Sequence, residues 1–187
     1  MDETESYLGK VLIAQPRNQD GNFAHSVVLI AHHNSSGAWG VICNKPARTV
    51  TMQAVMAAAG IDDFEGNNSV YIGGPVEPTR VHVIHTLDWY SGSTVRITDE
   101  LGITGDVGIL AAISRGEGPR LYRTGVGLAV WTAGQLEGEQ SGLDPWGPMH
   151  RWLFTDSSVE LCLTGGGEEQ WQRAISQCVN EKVAGLF

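Results

Sequence analysis

A chain of 187 residues, 42% apolar and 18% charged, can bury a substantial core as one domain and is too apolar for a disordered segment. Its 21 acidic and 12 basic residues give a net charge of -9, and the basic residues fall mostly singly, which argues against a nucleic-acid-binding stripe. Three cysteines without C-x-x-C spacing, an acidic start and no bilayer-length apolar run point away from a disulfide framework, a thiolate zinc site, a signal peptide and a membrane span, and toward the cytoplasm.

Residues 1–8 read as a flexible lead. Runs rich in Val, Ile and Leu at 9–14 and 26–31 predict two strands, joined by Pro16 and the polar stretch 18–22. The turn formers of 32–37 lead into 38–43, a hairpin partner closed by Pro46. Thr51 offers a helix N-cap before Met52, Val55, Met56 and Ala59 at helical spacing, with Gly60 at the far end. Strands are expected at 70–72 and 80–86, on either side of a Gly-Gly-Pro turn, and at 94–97. Thr104 or Asp106 can cap an apolar helix over 107–114. Residues 122–131 return as a buried strand, in which Gly125 and Gly127 favour a bulge or close backbone approach. Gly134, Gln135, Leu136 and Glu137, with Glu139, follow as a helix start for which Thr132 is the expected cap. Farther on, 152–154 and 159–163 read as strands, and 165–167 introduces a helix with Trp171, Ala174, Ile175, Cys178 and Val179 on one face. Strands in runs, rather than in alternation with helices, indicate an α+β class.

No G-x-S-x-G elbow, P-loop or dinucleotide fingerprint is present. His82 and His85 diverge on a strand, as do His32 and His33, so no metal site is expected. What remains is polar residues beside glycines: Asn34, Asn44, Arg80, His85, Gln135, Glu137 and Glu139. The two glutamates can act as acid and base, bind a divalent ion, or stabilise a helix dipole, which is their commoner use. Arg80 and His85 can contact an anionic ligand or close a network with those glutamates, and the residues leave both open. Trp171 is core by its helical phase, whereas Trp146, between Pro145 and Pro148, is the best candidate for an exposed contact.

Several short motifs follow one another in fixed order. Gly9 to Ala14 with Pro16 comes first, then Phe23 with Ser26, Val27 and Val28, then His33 and Asn34. Gly37 and Ala38 precede Gly40, Val41, Ile42, Cys43, Asn44, Lys45 and Pro46. Gly73, Gly74, Pro75 and Val76 precede Arg80 and His85, and Trp131 precedes Gly134, Gln135, Leu136, Glu137 and Glu139. Trp152, Leu153 and the helix around Trp171 complete the set. This order and spacing resemble the AlgH/YqgE family of bacterial proteins, DUF179, over nearly the whole chain. There are departures: His25 stands where the family usually has arginine, Gly105-Asp106 and Leu128-Ala129-Val130 replace other patterns, and 141–150 looks divergent or inserted.

The resemblance implies a coiled, bifurcated, mixed but mostly antiparallel sheet packed around a few helices, as a single domain over 1–187 in the bacterial cytoplasm. The family's activity is unknown and its members often carry a transcriptional-regulator label. Charge and motifs give that label no support as direct DNA binding. The expectation is a noncatalytic regulatory or binding module for a protein or small molecule, without cofactor, metal, nucleic-acid or membrane contact. Its candidate site comprises Asn44, Lys45, Gly73, Gly74, Arg80, His85, Gln135, Glu137 and Glu139. The alternative is a hydrolase using Glu137 or Glu139 as base with His85 nearby.

Overall fold

A computed structural model describes residues 5–142, 145 and 152–186. Ten strands and five helices are present among them. In chain order they are β1 (Lys10–Ala14), β2 (Val27–Asn34), β3 (Gly37–Ile42), β4 (Pro46–Thr51), α1 (Met52–Ala58), β5 (Ser69–Ile72), β6 (Val76–Thr86), β7 (Val95–Arg96) and β8 (Leu101–Thr104). Then follow α2 (Val107–Ser114), β9 (Tyr122–Thr132), α3 (Gln135–Ser141), β10 (Trp152–Asp156), α4 (Val159–Leu163) and α5 (Gly167–Ala184). The fold is α+β.

The sheet runs β10-β1-β2-β3-β9-β6-β8-β7, with β4 pairing β5 off this path; β5 joins β9 in parallel, and every other pairing, β4 with β5 included, is antiparallel. Strand β9 is where it forks. Its C-terminal half pairs with β3, Gly40 opposite Ala129 through Gly37 opposite Thr132, while its N-terminal half pairs with β5, Val70 opposite Thr124 through Ile72 opposite Val126. Between the halves Gly127 takes φ +82, and a Cβ there would strike the Gly74 carbonyl oxygen, so only glycine fits the fork. The Gly73 turn wedges into the gap, donating its N–H to Val126 O at 2.8 Å and accepting from Ile42 N at 2.8 Å.

Period-two alternation distributes the strand residues to two cores. Val27, Leu29 and Ala31 of β2 face a cluster closed by α4 and α5, while Val28 and Ile30 face the aromatic cluster of Trp131, Trp152 and Phe23. A third cluster packs α1 and α2 on Val83 and Val126. Helix caps follow the chemistry of their side chains: Thr51 Oγ1 accepts from Ala54 N at 3.2 Å and Asp106 Oδ1 from Ile109 N at 3.2 Å.

Several sequence expectations change. Residues 159–163 form helix α4, not a strand, because Ser158 Oγ caps Leu161 N at 3.0 Å and a five-residue apolar run carries no decisive period. Strand β4 is mostly exposed and polar, and β8 is a four-residue segment containing Gly102, so neither announces itself in the sequence. The strand expected at 94–97 contracts to Val95–Arg96. Thr132 is not the cap of α3: Gly134 occupies that position at φ +73 without a side-chain cap, and Gln135 Oε1 instead reaches back to Thr132 N at 3.0 Å. In α5, Trp171, Ala174 and Cys178 are buried as their spacing predicts, whereas Val179 is 48% exposed. No helix among the described residues is long and apolar enough to cross a membrane. Trp146 lies outside the described residues, as does most of the divergent 141–150 loop.

Candidate functional site

The sheet leaves a cleft where β6 begins. Strand β8 pairs with β6 only along residues 83–86, and the register of β6 on β9 slips between Val76 and Val81, so residues 76–80 bulge outward and are all exposed. Glu77 adopts φ +46 within this bulge, a left-handed conformation disfavoured for a non-glycine residue. Its carboxylate pairs with Arg80 Nη1 at 2.8 Å. The space beside the bulge measures about 680 Å³ and is lined by Asn34 and Trp39 of the β2–β3 hairpin, by Val130 of β9, which pairs with Trp39, and by Glu77, Arg80 and Asp106.

His82 lines this cleft and is 4% exposed. Nε2–H donates to Gly127 O at 3.0 Å, which fixes the tautomer and leaves Nδ1 as an acceptor. Nδ1 meets no partner among the described residues. Its ring occupies room made by two glycines, since a Cβ on either Gly73 or Gly125 would collide with it. Burial lowers the pKa of His82 to about 4, against a smaller opposing effect from its bond to Gly127. The imidazole is therefore neutral over the physiological range.

The nine residues singled out from sequence divide among different surroundings. Asn44 is a buried clamp: Oδ1 accepts from Val27 N at 2.8 Å, and Nδ2 donates to His25 O and Gly167 O, each at 2.9 Å. Lys45 donates through Nζ to Asn22 O at 2.6 Å, and burial lowers its pKa. The turns carrying Asn44 and Lys45 and carrying Gly73 and Gly74 do lie together, linked by Ile72 N to Lys45 O at 2.8 Å. Gly74, at φ +154, lies so close to the Leu128 backbone that no side chain fits. Arg80 stands on the cleft rim.

His85 is fully buried, with Nδ1 at 2.9 Å from Thr86 O and Nε2 at 2.8 Å from Thr104 Oγ1. Burial is the main cause of its lowered pKa. Both ring nitrogens are engaged within the protein, and none of its hydrogen bonds reaches a glutamate. Helix α3 holds the other three residues in a separate arrangement. Glu139, 7% exposed, accepts from Trp131 Nε1 at 3.1 Å and Trp152 Nε1 at 2.9 Å through Oε2, and from Gln135 Nε2 at 3.0 Å through Oε1. Glu137 Oε1 is 2.6 Å from His33 Nε2, and the Nδ1 of that histidine accepts from Tyr7 N at 3.1 Å. The network considered between Arg80, His85 and the two glutamates is thus not formed; each of these groups is answered by different neighbours.

Other residues emerge only from the coordinates. His32 lines the cleft while His33 turns to Glu137, the divergence expected of adjacent strand residues. Arg123, 6% exposed, stacks 4.1 Å from the Tyr71 ring centroid and donates to Cys43 O at 2.5 Å, Gln170 Oε1 at 2.8 Å and Gly165 O at 2.7 Å. It knits β9 to the turn before α5 without a carboxylate partner among the described residues, and nothing in its sequence neighbourhood signals this. His25, at φ +55, stacks on Trp171 with centroids 4.1 Å apart and reaches Glu168 Oε2 at 2.7 Å. No cluster of three or more His, Cys, Asp or Glu side chains suited to a metal occurs among the described residues.

Comparisons with known proteins agree with this fold. The family model described as DUF179, AlgH-like, matches residues 11–182. A UPF0301 protein of Sphingopyxis alaskensis is 34% identical over 172 residues, covering 91% of this chain and 88% of its own length. The UPF0301 protein Atu0781 of Agrobacterium fabrum is 32% identical, covering 94% and 89%. The solution structure of the AlgH protein from Pseudomonas aeruginosa superposes with a TM-score of 0.73 at 28% identity, covering 94% of this chain and 90% of that one. The chain belongs to the DUF179, AlgH-like family.

Proposed function

We propose that this protein is a noncatalytic, regulatory ligand-binding module whose site is the cleft beside the β6 bulge. The observation that carries this reading is the opening of about 680 Å³, within the range of small-molecule sites, with a residue held at φ +46 in its lining. Of the residues picked out from sequence, Arg80 belongs to this site, while Gly73 shapes it by making room for the His82 ring. Asn44, Lys45 and Gly74 support the adjoining turns, and Gln135, Glu137 and Glu139 hold α3 on the sheet.

The hydrolase alternative draws no support from these surroundings. A general base needs an open lone pair within reach of substrate. The Glu139 carboxylate is buried under two indoles and an amide, both nitrogens of His85 are engaged, and His33 has its Nδ1 filled by a backbone N–H. The net charge of -9 counts against operator binding, and three buried, free cysteines suit the reducing cytoplasm in which this reading places the protein.

A thermal-shift screen of metabolites tests the reading. Val130, on the cleft wall and 46% exposed, is the position at which to block it. A stabilising hit is expected to be lost in Val130→Trp and kept in Glu137→Ala. Hits that survive Val130→Trp, or a screen without any Val130-sensitive hit, would overturn the assignment.

A further inference from the structure

We propose that the cleft takes an uncharged molecule with a flat apolar body and one N–H or O–H group, which donates to Nδ1 of His82. This rests on the cleft being the ligand site and names the chemistry it selects.

The charged side chains of the lining argue for a neutral occupant. Glu77 and Arg80 answer each other at 2.8 Å, and the Asp106 carboxylate is held by Ile109 N at 3.2 Å and by Ser93 Oγ. His32 Nε2 takes the amide of Asn34 at 2.9 Å. Each of these groups already has a partner, so the lining offers an ion no charge that is wholly unanswered. Between these groups the walls present hydrocarbon and indole: Trp39, Val76, Val95, Ile103, Leu128 and Val130. Val76, Val95 and Val130 are 40–46% exposed, so a flat apolar body covers surface that water otherwise wets.

Against this lining one buried polar atom stands out. Of the buried side-chain nitrogens and oxygens without a partner among the described residues, only His82 Nδ1 belongs to a cleft residue. Its ring is held on the other side by the Gly127 bond and by contact with Gly73 and Gly125, so the acceptor is fixed in the free protein. With its pKa near 4, the ring carries no proton on Nδ1 at neutral pH. A buried acceptor left unmatched costs the full loss of its hydration, so such a site discriminates strongly between a ligand that donates and its isostere that does not.

Indole and 1-methylindole form a matched pair of probes, alike in shape and apolar body and differing in the single N–H. Each is titrated into the full-length, nitrogen-15-labelled protein, with backbone amides and the His82 ring nitrogens as readouts. Indole is expected to shift cleft amides and move the Nδ1 resonance of His82 as it accepts a hydrogen bond. Binding of 1-methylindole is expected to be at least about tenfold weaker. In His82→Phe the two affinities should become equal; should that variant fail to fold, the Nδ1 resonance of the wild-type protein decides alone. Equal affinities in the wild type, an unmoved Nδ1 resonance, or no cleft response to either probe at millimolar concentration would overturn the proposal. A Val130-sensitive metabolite hit alongside such a result would leave the cleft as a binding site and remove only this ligand chemistry.

Discussion

Glu139 and His82 both belong to surroundings that include Trp131, yet they are opposites. The carboxylate is given three donors, two indoles and an amide, and nothing of it is left over. The imidazole is given one acceptor, Gly127 O, and keeps its second nitrogen without a partner beside an open cleft. The motif most conspicuous in the sequence therefore cements α3 to the sheet. A histidine that looks like an ordinary strand residue sits in the lining of the cleft. Of the unanswered buried groups among the described residues, only the one on His82 belongs to the cleft lining.

The comparison predicts a steep contrast in stability. Glu139→Ala leaves two buried indole N–H groups and an amide without their acceptor and opens a cavity, and it should cost about 4 kcal/mol in chemical denaturation. Glu139→Gln, which keeps one carbonyl acceptor, should cost less than half of that; equal losses would show that the carboxylate does not hold the indoles.

His82 can be tested through pH. Its folded pKa is depressed from 6.5 to about 4, so the unfolded chain binds the extra proton first. Stability is fully present above pH 6.5 and is lost as pH falls toward 4. The free energy of unfolding of the wild type relative to His82→Phe should fall by roughly 3 kcal/mol across that window. A constant difference would place the ring in water.

A smaller loss is expected from Gly125→Ala, whose added methyl meets the His82 ring. Destabilisation of about 2 kcal/mol, with displaced His82 ring signals in NMR spectra, would confirm that glycine makes the room. Arg80→Ala should hardly register, under about 0.5 kcal/mol, because both partners of its ion pair are more than half exposed. A larger effect there would mean that the pair, and not the cleft beside it, is the structural feature.

Much of the architecture was legible because it depends on local chemistry. Thr51 and Asp106 cap helices with their own oxygens, the alternation in β2 assigns two faces, and the spacing of Trp171, Ala174 and Cys178 marks the buried side of α5. What failed was local in form but decided from afar. Residues 159–163 could have continued as a strand, but β10 already occupies the edge beside β1 and the segment coils under the sheet. The site was less legible still: Arg80 was visible beside its glycine turn, whereas Trp39, Glu77 and His82 carry no signature that separates them from packing residues.

By itself, the sequence determined the class, the order of most elements, the acidic surface and the family, since each follows from composition, short-range periodicity or motif order. Only the tertiary structure decided which polar groups are spent and which are free. A hydrogen bond is a property of two groups brought together, and the partners here lie far apart along the chain: Gly127 is 45 residues from His82, and Glu137 is 104 from His33. Pairings at that range are set by how β9 forks between β3 and β5, which no local pattern records.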